Sequence, residues 1–152
     1  GVALRELDAG RPAVSVQGLI DVNRSMATLL SAFAAGAPLL SALPDSRARR
    51  SLLRLIEDLG EVASAAGLGN ASLERWLSAH LGVVQDASAL RDVLQTMQEA
   101  FWLVRRIQRQ LGELQGEHRG SGEGIAVKDL SMRVGTELTR AWRRFETRAS
   151  AA

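Results

Sequence analysis

The chain has 152 residues, 46% hydrophobic and 24% charged, with a formal net charge of +2. This is the composition of one domain-sized globular unit, able to bury roughly 70% of its unfolded surface, and not of a disordered chain. Cysteine is absent, which excludes disulfide frameworks and thiolate metal sites and fits an intracellular, reducing compartment.

No uninterrupted apolar run approaches the roughly 18 to 20 residues that span a bilayer, so no transmembrane segment is expected. The first residues carry no signal-peptide pattern. A first residue of Gly instead of Met is what an excised domain or a processed product would show. Of the 19 basic residues, only Lys128 is lysine. A GC-rich coding sequence explains such a bias without any function; guanidinium's fit to carboxylate and phosphate explains it with one. Residues 101–152 carry ten basic against six acidic groups. That tilt is mild, and it does not make a nucleic-acid-binding tail.

In chain order, residues 1–12 show scattered leucines with no period. Residues 16–35 read as the first helix: Val16, Leu19, Ile20, Met26, Leu29, Leu30 and Phe33 share a face with one polar intrusion, Asn23. Two prolines in 36–44 predict a break there, with Leu39 and Leu40 as a loop anchor. Asp45 or Ser46 caps the next helix, whose inner stripe is Leu52, Leu55, Ile56, Leu59, Val62 and Ala66; Gly67 to Asn70 end it. Residues 72–81 form a short helix with Leu73, Trp76, Leu77 and Leu81 inward. Asp86 or Ser88 begins the longest helix, reaching about Gln115, with apolar positions near a 3.5-residue period from Leu90 to Leu114. Residues 116–124 (GEHRGSGEG) hold four glycines and predict a mobile linker that proteases nick first. The last helix covers about 127–148, with Leu130, Val134, Leu138, Ala141, Trp142 and Phe145 inward. Trp142 is the expected core anchor, with a Trp142→Ala cost of roughly 3 to 5 kcal/mol. No strand period and no repeat is visible, so the expectation is a single all-α domain, an irregular bundle of five to six helices.

Catalytic and metal chemistry is poorly supplied. His80 and His118 lie in different segments without a ligand partner at i+4, and the glycine-rich segment lacks a phosphate-loop ending. The expectation is a protein with no enzyme activity, no cofactor and no metal. Glu57, Asp58 and Glu61 read as a solvated face ion-paired to Arg54.

Three arginine groups stand out. Arg47, Arg49 and Arg50 crowd a helix N-terminus, where the macrodipole disfavours cations by roughly 0.3 to 1 kcal/mol each. The cluster is either offset by partners such as Asp45 or marks a second binding patch. Arg105, Arg106 and Arg109 share the outer face of the long helix. Arg140, Arg144 and Arg148 form an i, i+4, i+8 row beside Arg143. Each is an ordinary solvated face or a surface for an acidic partner. Between them, Phe101-Trp102-Leu103-Val104 is too long an apolar run for one stripe. Either this helix is central, or one of the four faces a partner groove.

Two of these stretches carry a family resemblance. Residues 103–109 (LVRRIQR) are a basic-aliphatic helix run. Residues 134–145 (VGTELTRAWRRF) close the fold with a leucine a turn before an arginine-flanked tryptophan. In this order they resemble the N-terminal "Leu-Trp" domain of transcription elongation factor S-II, over residues 72–148. The family's glycine-containing junction before the basic helix is replaced here by continuous residues 97–101. The upstream half has no counterpart in that module. The resemblance implies a docking module in nuclear transcription assemblies that binds disordered acidic-hydrophobic segments. It implicates Trp102, Arg105, Arg106, Arg109, Arg143 and Arg144. The contrasting class is a structural or oligomerising bundle serving as a subunit, effector or adaptor fragment.

Overall fold

The computed structural model of the chain describes residues 16–79 and 87–151, with side chains for all of these except 87–89, 142 and 144–151. Five helices carry the described residues: α1 (Val16–Ala42), α2 (Arg47–Ala66), α3 (Ala71–Ser78), α4 (Ala87–Glu117) and α5 (Gly122–Ala151). The all-α bundle expected from periodicity is the observed fold. Its four long helices close a ring: α5 lies against α1 and α4, α4 against α2, and α2 touches α1 lightly, with α3 covering α1 beside that contact. One core fills the ring, drawn from all five helices, with Phe33, Phe101, Met26 and Met97 among its largest fully buried side chains.

The first helix corrects the expected break. It continues through Gly36 and Pro38 to Ala42. Pro38 removes the N–H that would reach the Ala34 carbonyl, but Pro38 and Ala34 both face outward, where water can serve the freed oxygen. Burying Leu40 completely at the far side offsets part of that loss. The stop comes at Pro44, which disfavours helical backbone at Leu43. Because it runs through, α1 is, by length and composition, long and apolar enough to cross a membrane. Its Leu19, Val22, Met26, Leu29 and Phe33 lie in the bundle core.

Asn23, the polar intrusion on that face, is 2% exposed and clamps the loop between α2 and α3. Its Oδ1 accepts the Gly69 N–H at 2.6 Å, and its Nδ2 donates to the Asn70 carbonyl at 3.2 Å. Gly69 has φ +82, and a Cβ there would lie 3.2 Å from Ala27 Cα, so only glycine fits under α1. The next residue, Arg24, pairs with Glu74 of α3. That contact raises the Arg24 pKa above its ordinary value, chiefly through the hydrogen bond.

Ser46, one of the two expected caps, starts α2 by accepting the Arg49 backbone N–H at 3.1 Å. Leu52, Leu55 and Leu59 are buried as expected, joined by Ala48 and Ala63, while Ile56, Val62 and Ala66 sit at the edge of the core. In α3, Leu73 and Leu77 are buried and Trp76 packs at the core margin. His80, Leu81 and Asp86 lie outside the described residues.

The expected linker is instead a tight helical hairpin. Helix α4 extends to Glu117 and α5 begins at Gly122, leaving four residues between them. Ser121 closes the turn: its hydroxyl donates to the His118 carbonyl at 2.7 Å and accepts the Gly124 N–H at 3.1 Å. Gly124 is buried in this cap, where a Cβ would overlap the His118 carbonyl oxygen. Glycine here permits a close approach; it does not confer looseness. Leu130, Val134, Leu138 and Ala141 form the buried stripe of α5. The side chains of Trp142, the expected anchor, and of Phe145, Arg144 and Arg148 lie outside those described.

Candidate functional site

Within the apolar run on α4, helical geometry separates the four residues. At 100° per residue, Phe101, Leu103 and Val104 can all reach core neighbours while Trp102 cannot. Phe101 and Val104 are fully buried and Leu103 is 6% exposed, whereas Trp102 is 58% exposed. An indole held that far out of a core by three buried neighbours is a fixed outward anchor. The Arg106 guanidinium lies over its ring, 4.6 Å from the centroid, a geometry worth about 0.5 to 1 kcal/mol at an exposed site. Arg109 continues the same strip one turn further, and Arg105 flanks it; all three arginines are exposed. Among the described residues, neither Arg106 nor Arg109 forms an ion pair.

Beside this strip, the outer seam of the α4/α5 hairpin opens into a groove of about 870 Å³, lined by Gln108, Met132, Gly135, Thr136, Arg140 and Arg143 among others. Gln108 fills the space over Gly135, where a Cβ would stand 2.8 Å from its amide nitrogen. Small residues on α5 leave the seam shallow and open. Met132 is 60% exposed on its wall. Because the hairpin is antiparallel, Trp102 stands toward the level of the distal half of α5, where Arg140 and Arg143 lie. Arg140, itself exposed, reaches the half-buried Glu137 at 3.4 Å on its own helix. The seam is therefore apolar at its wall and cationic at its rim.

Of the six sequence-expected binding residues, Trp102, Arg105, Arg106 and Arg109 share one exposed face, and Arg143 lines the groove next to it. Arg144 is described only in its backbone. Sequence reasoning missed Gln108, Met132, Gly135 and Thr136. Met132 was detectable, because it falls out of phase with the stripe of Leu130, Val134 and Leu138. Ile125, 65% exposed and two turns before Met132, carries the same signal.

Two of the three arginines of the second patch have structural partners. The Arg49 guanidinium donates to the Leu40 carbonyl at 3.1 Å and to the Ser41 carbonyl at 3.0 Å, and reaches Asp45 at 3.3 Å. Arg50 pairs with the other oxygen of Asp45 at 2.8 Å. Arg49 thus adds charged donors to the last carbonyls of α1 and joins α1 to α2. On α2, no ion pair joins Arg54 to Glu57 or Asp58 among the described residues, so the expected neutralised face is an acidic one. No three His, Asp or Glu side chains converge as metal ligands among the described residues.

Fold and surface together define an all-α helical bundle with an aromatic-basic seam along one hairpin. Comparison with protein-family models, with curated proteins and with solved structures finds no match for this chain.

Proposed function

We propose that the chain is a non-catalytic docking domain whose α4/α5 face binds short, acidic, partly apolar segments of partner proteins. The observation that carries this reading is Trp102, 58% exposed between fully or nearly buried neighbours and capped by Arg106. Tryptophan and arginine are the residue types that dominate binding hot spots, since both join large area to a rigid polar edge. Arg105 and Arg109 put positive charge beside the anchor on α4, and Arg140 and Arg143 add it along the groove, which accelerates capture of an acidic chain. Ordering a disordered segment on this surface offsets part of the gain, so the affinity is modest and reversible. The resemblance of residues 72–148 to the elongation-factor docking module supports the same reading, with partners in nuclear transcription assemblies.

The test is a fluorescent synthetic peptide alternating Asp or Glu with Leu and Phe, titrated by anisotropy. The double reversal Arg105→Glu/Arg109→Glu should weaken binding tenfold or more, about 1.4 kcal/mol, with an unchanged helical circular-dichroism spectrum. Association should slow as added salt shortens the screening length to about 8 Å near physiological strength. Arg47→Glu/Arg50→Glu should bind like the parent. Equal affinity for parent and Arg105/Arg109 reversal would overturn the reading.

A further inference from the structure

The seam just described has a counterpart of opposite charge on the other side of α4. Between α2 and α4 lies a second groove of about 480 Å³. Val62, Ala66 and Val93 give it an apolar floor, Asp92 and Glu99 stand on its rim, and among the described residues no basic side chain lines it. Asp58 and Glu61, one turn before Val62 and Ala65 on α2, extend the acidic border. Alanines in place of larger residues leave room for a bulky side chain against the floor. The molecule thus presents on one helix an outward aromatic-basic strip and an acidic-apolar recess, whose rim residue Glu99 stands one turn before Trp102.

We infer that the occupant of the α2/α4 recess is the Trp102–Arg106–Arg109 strip of a second copy of this chain, giving head-to-tail self-association. The inference rests on the docking reading above, since it names one acidic, partly apolar surface that the α4/α5 face takes. Charge complementarity carries it: Arg106 and Arg109 are not ion-paired among the described residues, and the recess offers Asp92 and Glu99 around an apolar floor. Desolvating the indole of Trp102 against Val62 and Val93 supplies the non-polar part of the contact. In this head-to-tail arrangement the strip of one copy meets only the recess of the next, a heterologous contact. Each pair keeps one free strip and one free recess, and assembly proceeds beyond the dimer as a ring or an open chain.

Sedimentation velocity on the full chain, over a concentration series at low and at high salt, tests this. The parent should form salt-sensitive oligomers larger than dimers. Arg106→Glu/Arg109→Glu should abolish them, as should Asp92→Arg/Glu99→Arg. The milder Asp92→Asn/Glu99→Gln should weaken association at least tenfold, with folding of every variant checked by circular dichroism. The decisive measurement mixes the two reversals. One variant then retains only its recess and the other only its strip, so the mixture should yield a one-to-one complex and nothing larger. A parent that stays monomeric at low salt, a reversal that still associates alone, or a mixture that fails to pair would overturn the inference. The synthetic acidic peptide separates its failure from that of the docking reading. If Asp92→Arg/Glu99→Arg binds the peptide like the parent while the parent stays monomeric, only self-association falls. If the peptide does not bind either, both fall.

Discussion

At the start of α2, Arg47, Arg49 and Arg50 lie within one turn, as Arg105, Arg106 and Arg109 do on α4, yet the two clusters have different surroundings. Arg49 is spent inside the molecule: its guanidinium bonds two carbonyls at the end of α1 and reaches Asp45, which also holds Arg50. Arg106 instead lies on an exposed indole, and Arg109 follows it into solvent. The lesson is that a cationic cluster on a helix is read by what its donors already satisfy. Donors that close a helix end hold the fold together; donors beside an outward aromatic are available to a partner.

The largest effect that could break this comparison concerns adjacent residues on α4. Phe101→Ala should cost about 3 to 5 kcal/mol, whereas Trp102→Ala should change stability by no more than about 1 kcal/mol, the weight of its contact with Arg106. Chemical denaturation of both variants measures this. A comparable loss at Trp102 would mean the indole serves the core and the seam has no anchor.

Next in size, Arg49→Ala should lower stability by about 1 to 3 kcal/mol, because it leaves the Leu40 and Ser41 carbonyls without their charged donor. Its affinity for the acidic peptide should stay at the parental value. A variant of parental stability and reduced peptide binding would place function at the α1/α2 junction and reverse the assignment of the two clusters.

The smallest effects sharpen the same line. Ser46→Ala should cost about 1 kcal/mol by removing the cap of α2. Arg109→Ala should leave the unfolding midpoint within about 0.5 kcal/mol of the parent and register only as slower capture of the peptide. A midpoint loss at Arg109 equal to that at Ser46 would show that Arg109 also has a structural partner.

Much of the scaffold was legible in the residues. The apolar period of α4 named its buried face, Ser46 was one of two proposed caps, and the run at 101–104 showed that either the helix is central or one of the four residues faces outward, which the structure resolves as Trp102. Three features were not. Pro38 and Gly36 read as a break, because the compensation comes from Leu40 reaching a core that the local sequence does not reveal. The glycines at 116–124 read as a loose linker. Glycine's freedom and glycine's smallness look alike in sequence, and only the His118 carbonyl over Gly124 distinguishes them. The groove residues Gln108, Gly135 and Thr136 carry no local mark, since a seam exists only when two helices meet.

By itself, then, the sequence determined the helical class, the inward faces and most helix boundaries, because these follow from 3.6-residue periodicity and capping chemistry within a few turns of chain. Tertiary structure alone decided which arginines are occupied and which are open, and that a basic seam and an acidic recess flank the same helix. Those properties depend on distances between residues far apart in the chain. Local propensity has no access to them, and the packing of four helices around one core sets them.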